Sequence, residues 1–145
     1  MKLYTIGFAG KSARRFFGLL QENKVSKVVD VRLRPSGQLA GFTKKDDLEY
    51  FLDRILKCGY IHMPALSPTP EILDSYRKNK DWNAYVEAFE ELMDQRAIPQ
   101  AVETSVIVDG ACLLCSEEKP ERCHRRLVAE RIKSVHPDVE VVHLV

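Results

Sequence analysis

Thiols, an imidazole, carboxylates and guanidinium groups crowd into one stretch of the chain, Ala111-Cys112-Leu113-Leu114-Cys115-Ser116-Glu117-Glu118-Lys119-Pro120-Glu121-Arg122-Cys123-His124-Arg125-Arg126. An apolar run stops at Cys115 and a charged, helix-forming run follows Pro120, so the junction reads as a strand-to-helix turn. A helix start offers unpaired N–H groups and the positive end of its dipole, which suits an anion. Cys123 falls in the first turn of that expected helix, beside Arg122, His124 and Arg125, and all of these favour a thiolate that could act as nucleophile. The competing role is a half-buried cysteine that packs helix against sheet. His124 is an acid or base by type, but it shares a helix face with Val128, Arg131 and Val135 and could equally be a packed histidine. Glu117 is a base or a hydroxyl-binding carboxylate by type, with complementing the helix dipole as its alternative.

Cys112, Cys115, Cys123 and His124 are also zinc-ligand types. Their spacing argues against a chelate built on Cys-x-x-Cys, because strand residues three apart point to opposite faces and Leu113-Leu114 is a poor knuckle. A thioredoxin-like pair opens a helix, whereas this one closes a strand. No metal site is therefore expected, and the sequence names no cofactor. A thiol-redox or zinc-binding protein is kept as an alternative.

The elements that must position this junction follow from periodicity. Residues 3–6 form a β-prone run ending at Gly7, and Ser12 caps an apolar-periodic helix carrying Phe16, Phe17, Leu19 and Leu20. Residues 27–31 repeat the strand signal with Val28, Val29 and Val31, which suits a sheet covered on both faces. A helix over 45–57 ends at Cys58-Gly59, and residues 60–63 make a third strand stopped by Pro64. Pro70 opens a helix over 70–76, and Asp81 caps another in which Trp82, Tyr85, Val86, Phe89, Leu92 and Met93 make an apolar stripe. Tyr76, Trp82 and Tyr85 could line a lid, although such a stripe is more often core.

Residues 106–108 carry a further strand signal, interrupted by Asp109-Gly110 as a hairpin turn or as the entry to a buried strand. The second reading is favoured, with the fourth strand at 111–115, a helix over 120–135 and a last strand at 139–145. Alternating strands and helices imply parallel pairing through right-handed crossovers. The expected fold is a single α/β domain over residues 1–145, a layer sandwich with a mostly parallel sheet of about five strands flanked by helices.

In such a sheet ligands bind beyond the carboxyl ends of the strands. Gly7, Asp30-Val31-Arg32 and Cys115-Ser116-Glu117 all lie at such ends. Asp30 and Arg32 are two apart on a strand and share a face. There Asp30 could accept from a ligand hydroxyl or ring nitrogen and Arg32 could fork onto a phosphate or carboxylate, unless the two form an internal ion pair. Cys123, His124, Asp30 and Glu117 are the candidate catalytic residues, and Gly7, Arg32, Ser36, Cys115 and Arg125 the candidate ligand contacts.

Bulk composition sets the bounds. With 145 residues, 45% apolar, 30% charged and a net charge of +1, the chain is an ordinary globular one with no global field toward duplex nucleic acid or anionic membranes. Its first residues are too short an apolar run for a signal peptide and no segment reaches bilayer length, so the cytoplasm is the expected compartment and the four cysteines are expected as thiols. The expected partner is a small anionic molecule, and oligomeric state is not legible.

Taken together, Thr5-Ile6-Gly7, Val29-Asp30-Val31-Arg32, Pro35-Ser36, Gly41-Phe42, Leu114-Cys115-Ser116-Glu117 and Pro120-Glu121-Arg122-Cys123-His124-Arg125 resemble the family called domain of unknown function 488. The resemblance implies a compact α/β domain and supplies no reaction. Many members have His-Ser where this chain has Phe8-Ala9, and Leu-Gly-Gly where it has Leu66-Ser67-Pro68. The first departure removes an acid and a hydroxyl from any mechanism that would use them. The leading reading is a small enzyme or binder of a phosphorylated or nucleotide-like metabolite, with a non-catalytic interaction protein as the alternative from another class.

Overall fold

The computed structural model describes residues 1–145, and describes side chains for all but residues 38–40. Among the described residues, five strands form one parallel sheet: β1 (Lys2–Gly7), β2 (Lys27–Asp30), β3 (Gly59–His62), β4 (Ala111–Cys115) and β5 (Glu140–Leu144), in the order β3-β2-β4-β1-β5. The helices are α1 (Ala13–Glu22), α2 (Lys45–Phe51), α3 (Pro70–Asn79), α4 (Trp82–Gln95), α5 (Glu103–Val106) and α6 (His124–Val135). This is the α/β layer sandwich that the alternation of strand and helix signals implies.

The two faces of the sheet bury separate cores because side chains alternate along each strand. Tyr4, Ile6, Val28, Cys112 and Leu114 pack with Phe16, Phe17 and Leu20 of α1 and Leu48 of α2. Leu3, Val29, Leu113 and Cys115 pack on the other face with Tyr85, Phe89 and Met93 of α4 and Leu127, Val128 and Ile132 of α6. Cys112 and Cys115 thus lie in opposite cores, as their spacing on an extended strand requires.

Several local signals act as their chemistry suggests. Ser12 Oγ accepts from Arg15 N at 3.1 Å, Asp81 Oδ1 accepts from Ala84 N at 3.1 Å, and Pro70 opens α3 behind the cap Thr69. Other boundaries differ. The second long helix continues beyond α2 as a π-helical turn, Leu52–Leu56, and ends on Lys57 in the left-handed conformation (φ 50°), one residue before the expected Cys58-Gly59. Residues 106–108 are not a strand: Val106 closes α5 and its buried side chain fills the core, so packing overrides β propensity. Helix α6 starts at His124 rather than at Pro120, which leaves Cys123 at its N-cap in extended backbone (φ −135°, ψ 139°).

Candidate functional site

The turn between β4 and α6 is suspended across the carboxyl edge of the sheet. Beyond its end β1 keeps pairing, with Phe8 N donating to Cys115 O at 3.3 Å and Ala9 N to Ser116 O at 3.0 Å. From the other side Val31 N donates to Leu114 O at 3.0 Å. Gly7 is what lets the turn lie so close: a Cβ there would stand 1.5 Å from Glu117 O and 2.9 Å from Arg125 Nη1.

Arg125 holds this backbone from behind. Its fully buried guanidinium donates to Glu117 O at 2.6 Å, Glu118 O at 3.3 Å and Thr5 Oγ1 at 3.3 Å. Helical spacing placed Arg125 at the mouth of an anion site, but its donors are spent on carbonyls inside the fold. These bonds tie down the Glu117 and Glu118 carbonyls in non-helical backbone, and the helix begins three residues beyond Glu121 rather than at Pro120.

Asp30 and Arg32 take the internal-pair role. The Asp30 carboxylate, fully buried, accepts from Arg32 N (3.1 Å), Nε (2.9 Å) and Nη2 (2.7 Å) and from Tyr60 OH (2.6 Å). Arg32 also donates from Nη1 to Thr43 Oγ1 at 3.0 Å and from Nη2 to Thr43 O at 2.6 Å. The Phe8 ring lies 5.5 Å from this guanidinium.

In front of the turn lies a cavity of about 490 Å³, within the range of small-molecule sites. Its lining includes Arg32, Arg34, Arg77, Lys80 and Arg122 against the single carboxylate of Glu117, with Tyr76, Trp82 and Tyr85 as an aromatic wall. Trp82 and Tyr85 stack at 5.0 Å with 13° between their planes, and Tyr85 is buried, so the stripe serves as core on one side and as cavity wall on the other. Cys115, Cys123 and His124 form part of the same lining. Of the sequence-nominated residues, Arg32, Glu117, Cys115, Cys123 and His124 meet at the cavity, while Gly7, Asp30, Ser36 and Arg125 are not in its lining. Arg34 also lines it, as do Arg77 and Lys80 from the end of α3, which sequence reasoning missed. Their one signal was position, one and four residues beyond the aromatic Tyr76.

The three chemical groups interlock. His124 Nε2 lies 2.6 Å from Val31 O, an acceptor only, so that nitrogen carries the proton and donates. Cys115 Sγ lies 3.5 Å from the free Nδ1 and 3.7 Å from Nε2. The Phe89 ring meets the imidazole edge-on at 5.7 Å and fixes its plane. The ligand atoms of Cys115, Cys123 and His124 all lie within 4.8 Å of one another. A hydrogen bond with Cys123, and then burial, push the Cys115 thiol well above the usual thiol range. Burial pushes Cys123 up as well, but hydrogen bonds with Cys115 and His124 and the charges of His124 and Arg125 outweigh it and hold this thiol well below that range. By contrast, burial raises Cys58 to about 11 against a backbone hydrogen bond with Val28, and burial, then the neighbouring Cys58, raise Cys112 further, as for inert core thiols.

A family model described as "Domain of unknown function DUF488" matches residues 12–132, and the chain belongs to that family. No curated protein and no solved structure matches the chain. Among the described residues, no helix is long and apolar enough to cross a membrane.

Proposed function

We propose that this member of the DUF488 family is a small enzyme or binder of an anionic metabolite, phosphorylated or nucleotide-like, that sits in the cavity between α3, α4 and the β4–α6 turn. The observation that carries the reading is the lining itself: basic side chains from three separate parts of the chain face one carboxylate across an aromatic wall. Basic groups neutralise a phosphate, and an indole and phenol faces suit a planar ring. Arg34, Arg77, Lys80 and Arg122 are the exposed cations of that lining and make the anion contacts, because Arg32 is committed to Asp30 and Thr43. Cys123 lies at the reacting part of the ligand, and Glu117 orients it.

Trp82 is the only tryptophan of the chain and lines the cavity, so its fluorescence reports occupancy. Titration with inorganic phosphate, pyrophosphate and adenosine monophosphate should quench or shift that emission in a saturable, salt-sensitive way. The Arg77→Ala/Lys80→Ala variant should weaken the response at least about tenfold, the equivalent of about 1.4 kcal/mol. No saturable response to any of the three, or an unchanged affinity in the double variant, would overturn the proposal.

A further inference from the structure

We infer that Cys115, Cys123 and His124 form a zinc site of three protein ligands whose fourth position opens into the cavity. This goes beyond the anion reading and stands without it. A tetrahedral zinc with bonds of about 2.3 Å to sulfur and about 2.0–2.1 Å to nitrogen sets its sulfur and nitrogen ligands about 3.5–3.6 Å apart. Cys115 Sγ and His124 Nδ1 stand at 3.5 Å, and the three ligand atoms lie within 4.8 Å of one another. A metal at their centre needs only side-chain adjustment, since Cys115 ends a strand paired on both sides and Cys123 and His124 begin a packed helix.

The imidazole is also oriented as a ligand should be. Metal-binding histidines commonly donate their second nitrogen to a carbonyl or carboxylate, which fixes the tautomer and the ring. Nε2 does this to Val31 O at 2.6 Å, which leaves Nδ1 as the free nitrogen, 3.5 Å from Cys115 Sγ where Nε2 is 3.7 Å from it. Sequence spacing argued against a chelate on Cys112-x-x-Cys115, and Cys112 is indeed in the opposite core. The ligand set that assembles uses Cys115 alone of that pair and takes its partners from across the turn. Among the described residues the group has three members. Structural zinc sites are closed by four protein ligands, whereas three with an open position are the catalytic pattern. All three members line the cavity, so the open position faces whatever occupies it.

The test uses the full chain, reduced, loaded with Zn²⁺ and desalted before elemental analysis. About one zinc per chain should be retained, and Co²⁺ loading should give thiolate-to-metal charge-transfer absorption with the intense visible bands of a tetrahedral site. Cys115→Ser and His124→Asn should lose retained metal, while Cys112→Ser keeps it. Because those variants alter a packed region, a second measurement uses the unaltered protein. Zinc should slow alkylation of Cys115 and Cys123, read by peptide mass, without changing Cys58. Failure to retain zinc, retention equal in the Cys115→Ser/Cys123→Ser variant, or unprotected thiols would overturn the inference. A phosphate response at Trp82 that persists in such a case would leave the anion reading intact, so the two fail separately.

Discussion

Replacing Asp30 by Asn changes one oxygen to nitrogen at a fully buried position and leaves the shape of the side chain intact. It removes the counter-charge of Arg32, whose guanidinium is 3% exposed as a residue and cannot turn to water without breaking its bonds to Thr43. Removing one partner of a buried ion pair costs about 3–5 kcal/mol, because the other charge is left uncompensated. For a domain of this size each kcal/mol moves Tm by roughly 2–4 °C, so Asp30→Asn should lower Tm by about 6–20 °C. The exposed pair Arg77–Asp74, at 3.7 Å, is the internal control: Asp74→Asn should cost about 0–1 kcal/mol. Urea unfolding followed by far-ultraviolet circular dichroism gives both values by linear extrapolation. Replacing both partners, as Asp30→Leu/Arg32→Met, should cost less than the sum of the two single changes, since no orphan charge remains. An Asp30→Asn loss under about 1 kcal/mol, or strict additivity in the double variant, would refute the view that this pair is a structural brace of the rim.

Gly7→Ala should force the β4–α6 turn away from β1, because its Cβ would meet a backbone oxygen at 1.5 Å. Breaking the Arg125 bond to Glu117 O alone is worth about 1.5–3 kcal/mol, so urea unfolding should show at least that loss, and wild-type stability would contradict the close approach. His143 should make the fold sensitive to acid. Thr5 Oγ1, which accepts from Arg125 Nε, lies within hydrogen-bond distance of His143 Nδ1 at 2.6 Å. Burial, and then Arg125 with a smaller effect from Arg126, hold the imidazole below its ordinary 6.5, against Glu130 and Glu121. The folded state therefore binds its proton less readily than the unfolded chain. The stability that His143 contributes is present above about pH 6.5 and is lost as pH falls through that value toward the lower folded one. His143→Asn should flatten the acid limb of a Tm-against-pH profile, and an unchanged limb would remove this assignment.

Much of the fold is legible because strand and helix signals are local. The valines at 28, 29 and 31 announce a strand covered on both faces, and Ser12 and Asp81 bond the amides their types suggest. Where signals fail, tertiary contacts decide. Residues 106–108 have β-prone side chains, but Val106 finds its place in the core on a helical turn. Pro120 is a good helix opener by type, but Arg125 holds the carbonyls before it in another conformation. The site was half legible for a related reason. The corner could be located from strand ends, whereas the direction of each charge could not be read from spacing. A charged residue on a helix is expected to face water, and Arg125 faces inward. Arg77 and Lys80 reach the cavity through the packing of α3 on α4, which no local pattern encodes.

The charges of the corner link its two proposed ligands. Two thiols beside the proposed anion site are a liability once either ionises, since a thiolate repels a phosphate. Arg125, lying behind the turn, favours ionisation of both Cys115 and Cys123 without reaching the cavity to attract anything. A dication between the sulfurs would resolve the conflict: two thiolates and one Zn²⁺ sum to zero, so the thiols would add no net negative charge to a lining whose one carboxylate is Glu117. The buried arginine then has a purpose that a carboxylate partner would defeat. Its fixed positive field would favour the thiolates that such a metal binds, while carbonyl and hydroxyl oxygens rather than a counter-charge satisfy its donors.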